Sequence, residues 1–272
     1  MNACSLYELK PGMVVGRTIC DSQGLILIAR GIVLTESYIK RLRNFKIQSL
    51  MVEVEANPSP PPVYSPAVKH TISTLAALFQ ALSEDKKINI QANTAKLEQI
   101  IYAILERPAI QSLLESILQC EPLFFHSLRA TLLALNMGLS RGYDFLNLEY
   151  LGMCALIHDC GMGHAFQEEN IQHTHLGFEK LRTNMDIDMI ISLVCLQHHE
   201  CFDGSGPLGF RRMQIAEFAR LITVADHYDR LMMKNNSPRQ AIIKIAGSRG
   251  SLFDPQMVQL FDCFIDGLKP KS

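Results

Sequence analysis

Apolar and polar positions along the chain fall into two regimes that meet at a proline-rich stretch. Before it the apolar runs are short. Met13-Val14-Val15 and Leu25-Ile26-Leu27-Ile28 are separated by Asp21-Ser22-Gln23-Gly24, which reads as a hairpin turn. Tyr38, Ile39, Leu42 and Phe45 follow at helical spacing behind Thr35-Glu36-Ser37, and residues 49–54 form a last strand. A small α+β module over residues 1–56 is the prediction. Residues 57–66 hold Pro58, Pro60, Pro61, Pro62 and Pro66, which donate no backbone hydrogen bond, so this segment reads as an extended linker at a domain boundary.

After the linker the helical period takes over. Val68, Ile72, Leu75, Phe79 and Leu82 make one apolar stripe, a linker helix or a homodimer seam within residues 67–96. Helices over 97–105 and 110–118 break at Arg107-Pro108, where proline disfavours a helical residue before it. A helix over 122–139 carries His126, and one over 148–158 stops at Gly161 and Gly163, leaving His158 and Asp159 at its C-terminal end. His198 and His199 close a helix over 187–196, and Asp226 lies in a helix over 215–231 behind the apolar run Leu221, Ile222, Thr223, Val224, Ala225. A carboxylate placed there is costly unless a cation meets it. The fold class expected is mostly α, with an all-helical domain over residues 97–272 behind the α+β module.

Composition narrows the function classes. With 272 residues, 48% of them hydrophobic and 19% charged, the chain can bury one large core, or a medium core plus a small module. The net charge of −1 and the lack of a basic run argue against a nucleic-acid polymer as partner, since displacing counterions needs clustered Lys and Arg. The eight cysteines form no CxxC pair and several sit in apolar helical stretches, as free thiols of a cytoplasmic protein do. No apolar stretch is long enough for a membrane span, and the first residues do not read as a signal peptide.

The candidate chemistry lies in scattered histidines and aspartates: His126, His158-Asp159, His173, His198-His199 and Asp226. Imidazole and carboxylate are the donors of borderline and hard divalent metals, and seven of them suffice for two ions. Any one histidine alone reads as a buried or capping residue. Two doublets inside apolar helical stretches do not.

In order, His126, His158-Asp159, His173, His198-His199-Glu200, Asp203-Gly204-Ser205-Gly206-Pro207 and Ala225-Asp226-His227-Tyr228-Asp229 resemble the HD-GYP domain, a bacterial family of metal-dependent phosphodiesterases within the HD superfamily. The resemblance covers roughly residues 97–265, and Leu9-Lys10-Pro11-Gly12-Met13 is similar to a small module often fused ahead of such domains. It implies an all-helical HD-type domain hydrolysing cyclic di-GMP or a related cyclic nucleotide in bacterial signalling. It further implies one ion on His126, His158, Asp159 and Asp226, and a second on His173, His198 and His199 with Asp159 bridging. Iron or manganese is the implied metal pair, and a metal-bound hydroxide the implied nucleophile, with His158 and Asp159 in the catalytic centre.

The chain departs from the family at points that bear on activity. Where active relatives have a lysine three residues after the aspartate, this chain has Met162, and the tyrosine of Gly-Tyr-Pro is missing because Gly206 runs into Pro207. Losing a charge-assisted phosphate contact removes about two to three orders of magnitude in rate. Lys234 and Arg211 are the candidate substitute cations for substrate binding. The alternative reading is a catalytically degenerate domain that binds a cyclic dinucleotide or a signalling protein partner as an adaptor. The glutamate that supplies a third metal in some members falls at Pro122, so two metals are expected. His164 follows the first doublet closely enough to protonate a leaving group, although an exposed loop histidine is the plainer reading. His175 competes with His173 as a ligand; His173 is preferred because it stands four residues before Gly177, as in the family. Glu200 and Asp203 read as residues that orient ligands or their loop, or that cap a turn. His70 and His227 read as structural or exposed, and Arg220 as a helix-to-core salt-bridge residue.

Overall fold

The structure, a computed structural model, describes residues 2–20, 26–28, 34, 39, 42, 49–53, 70, 71, 73, 74, 91–105, 107–162 and 171–267. The chain divides into two compact units, Met1–Pro62 and Val63–Ser272. The linker over 57–66 and most of the segment 67–96 lie outside the described residues.

In the first unit, strands β1 (Asn2–Ser5), β2 (Val14–Val15) and β5 (Ser49–Glu53) form an antiparallel sheet in the order β1-β5-β2, and β3 (Ile19–Cys20) pairs with β4 (Ile26–Ile28). The predicted hairpin between residues 13–15 and 25–28 is therefore corrected: Val15 pairs with Val52, and Ile28 pairs with Ile19. Ile19–Cys20 is too short to show an alternation, so its strand left no periodic signal. The predicted turn 21–24 lies outside the described residues. Leu6, Leu9, Val15, Ile28, Leu34, Ile39, Leu42, Leu50 and Val52 share a small core.

The second unit is helical: α1 (Gln91–Leu105), α2 (Pro108–Ile117), α3 (Glu121–Arg141), α4 (Phe145–Ile157), α5 (Gln172–Arg182), α6 (Met189–Gln197), α7 (Glu217–Met233), α8 (Pro238–Gly247) and α9 (Pro255–Gly267). The protein is thus mostly α, an all-helical domain preceded by a small α+β module. Among the described residues no helix is long and apolar enough to cross a membrane.

Local chemistry sets several helix ends. Pro108 and Pro122 stand in first turns, where the missing N–H leaves no bond unmade. Gly142, at φ 84°, closes α3 in the left-handed region that glycine tolerates. Asp144 caps α4 by accepting from Asn147 N at 2.9 Å, and Ser237 with Gln240 makes a capping box at α8.

Helix α4 is buried at every position from Asn147 to Ile157, as an all-round apolar helix must be. It packs on α1, α3, α6 and α7, while α3 also packs on α7 and α9. The C-terminal ends of α4 and α6 carry the doublets His158-Asp159 and His198-His199, and α3, α5 and α7 bring single donors to them.

Candidate metal centre

Helix ends and helix faces converge on Asp159, whose carboxylate is fully buried. His158 is the C-cap of α4, and Asp159 follows in the turn that closes it. Asp159 Oδ1 lies 3.0 Å from His173 Nε2 and 3.2 Å from His198 Nε2. Asp159 Oδ2 lies 3.5 Å from His126 Nε2 and 3.4 Å from His158 Nε2. Asp226 Oδ1 completes that side, 2.9 Å from His126 Nε2 and 3.5 Å from His158 Nε2. His199 Nε2 sits 3.2 Å from His173 Nε2 on the other.

Two four-donor groups result, His126–His158–Asp159–Asp226 and Asp159–His173–His198–His199. Within each, one ligand atom per residue lies within 4.8 Å of all the others. The structure thus brings together all seven residues singled out as metal ligands and shares Asp159 between the groups.

The rings are oriented as ligands. Nδ1 of His158 faces the carbonyl of Ala155 at 2.7 Å, Nδ1 of His198 that of Cys195 at 2.7 Å, and Nδ1 of His126 faces Asp229 Oδ2 at 2.8 Å. Only a protonated Nδ1 satisfies an oxygen there, so each neutral ring turns its Nε2 lone pair into the cluster. Nε2 of His158 and Oδ2 of Asp226 are buried and make no hydrogen bond among the described residues. Such atoms are where a metal ion fits, because a buried polar atom without a partner is otherwise destabilising.

Charge is concentrated in this small volume. Burial would raise the Asp159 carboxyl, but His158, His126, His173 and His198 together hold it well below the ordinary carboxylate range. Asp226 is likewise held well below, against burial, by Arg230, His126 and His158. Burial pushes His198 down, and burial with the neighbouring His198 pushes His199 to about 2, so both favour the neutral form a ligand needs.

The glycines set how closely the elements meet. A Cβ on Gly161 would fall 2.1 Å from His173 O, so the turn after Asp159 lies directly on the backbone of α5. Glu200 holds the following loop by accepting from Leu208 N at 2.7 Å and Phe210 N at 2.8 Å. Asp203 accepts from Ser205 N at 2.9 Å and Ser205 Oγ at 2.7 Å, which stabilises its own turn. Among the described residues neither carboxylate bonds a ligand histidine.

A cavity of about 630 Å³ adjoins the cluster, lined among others by His199, Ser205, Gly206, His227, Arg230 and Lys234. Lys234, the substrate-binding candidate, therefore stands beside the ligands. Arg211 does not: it lines a separate cavity of about 390 Å³ with Arg212 and Asp203. His175 is exposed whereas His173 is 2% exposed. His164 lies outside the described residues. Arg220 pairs with the buried Asp254, and His70 stacks on Phe124 at 5.5 Å between centroids.

Three residues of the site escaped the sequence reading. Asp229 anchors His126 and is itself held by Arg129, at 2.5 and 3.0 Å. Arg230 donates from Nε to Asp226 Oδ1 at 2.6 Å and from Nη2 to Asp159 Oδ2 at 2.7 Å. His227 lines the cavity although it reads as structural. The available signal was helical spacing, since Asp229 and Arg230 stand three and four residues after Asp226 on one face of α7.

The HD domain family profile matches residues 123–231, which contain the whole donor cluster. The chain is 27% identical over 243 residues to a cyclic di-GMP phosphodiesterase of Pseudomonas aeruginosa, covering 78% of this chain and 58% of that protein. It is 35% identical over 97 residues to a cyclic di-GMP phosphodiesterase of Thermotoga maritima, covering 33% of this chain and 26% of that one. The chain thus spans about a quarter to under two thirds of these relatives' length. Among solved structures, Bd1817, an HDG"Y"P protein from Bdellovibrio bacteriovorus, shares the fold. Its TM-score is 0.51 at 16% identity, over 97% of this chain and 99% of that one. Fold and donor set are those of an HD-type domain whose His/Asp cluster could hold metal ions. Residues 123–231 of the chain carry an HD domain.

Proposed function

We propose that this chain is a metal-dependent phosphodiesterase that hydrolyses cyclic di-GMP or a closely related cyclic dinucleotide. The observation that carries the reading is the pair of four-donor groups, buried except for the half-buried His199, that share Asp159 beside a cavity that Arg230 and Lys234 line. The names of the relatives from P. aeruginosa and T. maritima point to the same substrate.

His126, His158, Asp159 and Asp226 would hold one divalent ion and Asp159, His173, His198 and His199 the other, with iron or manganese suited to a histidine and carboxylate set. When bound, such a pair acts as a Lewis acid on phosphate and activates water for attack on phosphorus. The chain's own groups do the rest. Burial of the cluster keeps bulk water from screening the charges. Lys234 supplies positive charge at the cavity wall for the phosphate oxygens, while Arg230 in the same wall bonds Asp159 and Asp226. The loop that Glu200 holds forms the wall at Gly206 and Pro207, where a Cβ on Gly206 would fall 2.5 Å from Cys201 N, so a glycine allows the loop to lie on the helix end. The free thiols Cys4, Cys120, Cys154, Cys160, Cys195, Cys201 and Cys263 fit a cytoplasmic setting.

A second reading rests on Met162 and on the ion pairs of Arg230: a domain that binds metal and cyclic dinucleotide without turnover, serving as a signalling adaptor. Anaerobic incubation of the full chain with cyclic di-GMP and Fe(II) or Mn(II), beside an Asp159→Ala control, separates the two. Metal-dependent product that vanishes in the control supports the enzyme. Bound metal with no product overturns it in favour of the adaptor.

A further inference from the structure

The arrangement around Asp159 is lopsided. The guanidinium of Arg230 bonds Asp226 Oδ1 at 2.6 Å and Asp159 Oδ2 at 2.7 Å. These are the oxygens that face His126 Nε2 and His158 Nε2. Asp159 Oδ1 faces the imidazoles of His173 and His198 instead, at 3.0 and 3.2 Å. The two carboxylates are fully buried and the Arg230 side chain is 9% exposed, so solvent screens this contact little.

We propose that Arg230 is a built-in cation that holds down metal affinity at the His126–His158–Asp159–Asp226 position, so that the chain fills its two positions in sequence. This rests on the two-metal reading above. A dication at that position needs lone pairs of the same two oxygens and sits within a few ångströms of a guanidinium that stays charged at any working pH. Arg230 therefore opposes it twice, by occupying lone pairs and by repulsion of like charge. The position built on Asp159 Oδ1 and three imidazoles uses neither of the two oxygens that Arg230 bonds. The two-metal state is then reached at raised metal concentration, which ties any turnover to metal supply.

The test is titration of the metal-free full chain with Mn(II) alone, by calorimetry and by the electron paramagnetic resonance of free Mn(II), for the wild type, Arg230→Gln, Arg230→Lys and His199→Asn. The wild type should show two classes of site whose affinities differ at least tenfold. R230Q should tighten the weaker class at least tenfold and leave the tighter within threefold. R230K, which keeps the charge, should stay within a few-fold of wild type, and H199N should lose the tighter class while keeping the weaker. Unchanged classes in R230Q, or an R230K that tightens as much as R230Q, overturn the inference. Should R230Q fail to fold without metal, R230K and H199N still decide it: a tenfold tightening in R230K, or loss of the weaker class in H199N, overturns it. Failure of the phosphodiesterase reading is separate, because a two-class titration with no hydrolysis leaves this inference standing, and hydrolysis with two equal classes does not.

Discussion

Gly161 lies against Gly177, backbone on backbone: a Cβ at Gly161 would fall 2.5 Å from Gly177 N, and one at Gly177 would fall 2.5 Å from Cys195 Sγ. This contact lets α5 approach the turn after Asp159 and places His173 Nε2 3.0 Å from Asp159 Oδ1. Gly161→Ala should push α5 away, since the clash is with backbone and no rotamer relieves it. The expected outcome is a stability loss of about 1–3 kcal/mol in chemical denaturation, with metal content falling from two equivalents towards one. A variant that keeps two equivalents and full stability would show that α5 does not depend on this contact.

Asp229 acts through His126, whose Nδ1 it meets at 2.8 Å. Asp229→Asn keeps the shape but weakens the acceptor and lets His126 adopt the other tautomer, as partners behind metal-bound histidines do elsewhere. Metal affinity should drop about 10- to 100-fold, read by competition with a chromogenic chelator. An unchanged affinity would mean that His126 is not a ligand, or that Arg129, bonded to the same carboxylate, positions it instead.

The metal-free protein should be most stable near pH 6.5. Burial, then the neighbouring His198, pushes His199 down from 6.5 to about 2, and burial pushes His198 down as well. Both rings stay neutral when folded yet take a proton when unfolded below about pH 6.5. Acidification below that value therefore lowers stability, by about 1.4 kcal/mol per pH unit for His199 and in the same direction for His198. His126 works in the other direction. Burial lowers it, but its bonds to Asp159, Asp226 and Asp229 raise it well above 6.5, so its contribution is complete below 6.5 and is lost as pH rises through the folded value. Urea unfolding at pH 5, 6 and 7 should show the acid limb flattening by about one proton in His199→Asn; an unaltered slope would place the proton on His199 in the folded state too.

What the sequence revealed of this protein divides by the range of the interaction. Helices α3, α4, α6 and α7 were legible because their apolar positions repeat at the helical period, and the donor residues carry their own chemistry. The pairing of Val15 with Val52 was not legible, since strands of two or three residues are too short for an alternation and their partner is set by tertiary packing. Arg230 is no part of the motifs that carry the resemblance, and Asp229 stands in one of them without a role of its own. Only their distances to Asp159 and His126 assign them to the site. Arg211, the other candidate cation for substrate, lines a separate cavity with Asp203 and Arg212, a placement set by the fold of its loop.

Met162 stands where active relatives resembled by this chain carry a lysine, and its backbone N–H bonds Asp159 O at 2.9 Å in the turn below the metal ligands. Met162→Lys adds a cation next to Asp159 without altering that bond, because only the side chain changes. The chain already brings Arg230 and Lys234 to the cavity, so the gain depends on how much phosphate charge those two leave unmet. If they are committed elsewhere, as the bonds of Arg230 to Asp159 and Asp226 indicate for it, the new lysine should raise kcat by about 10- to 100-fold with little change in KM. Steady-state kinetics with cyclic di-GMP under saturating Mn(II) would read this. An unchanged kcat in M162K, with Lys234→Ala losing activity, would instead assign the phosphate contact to Lys234.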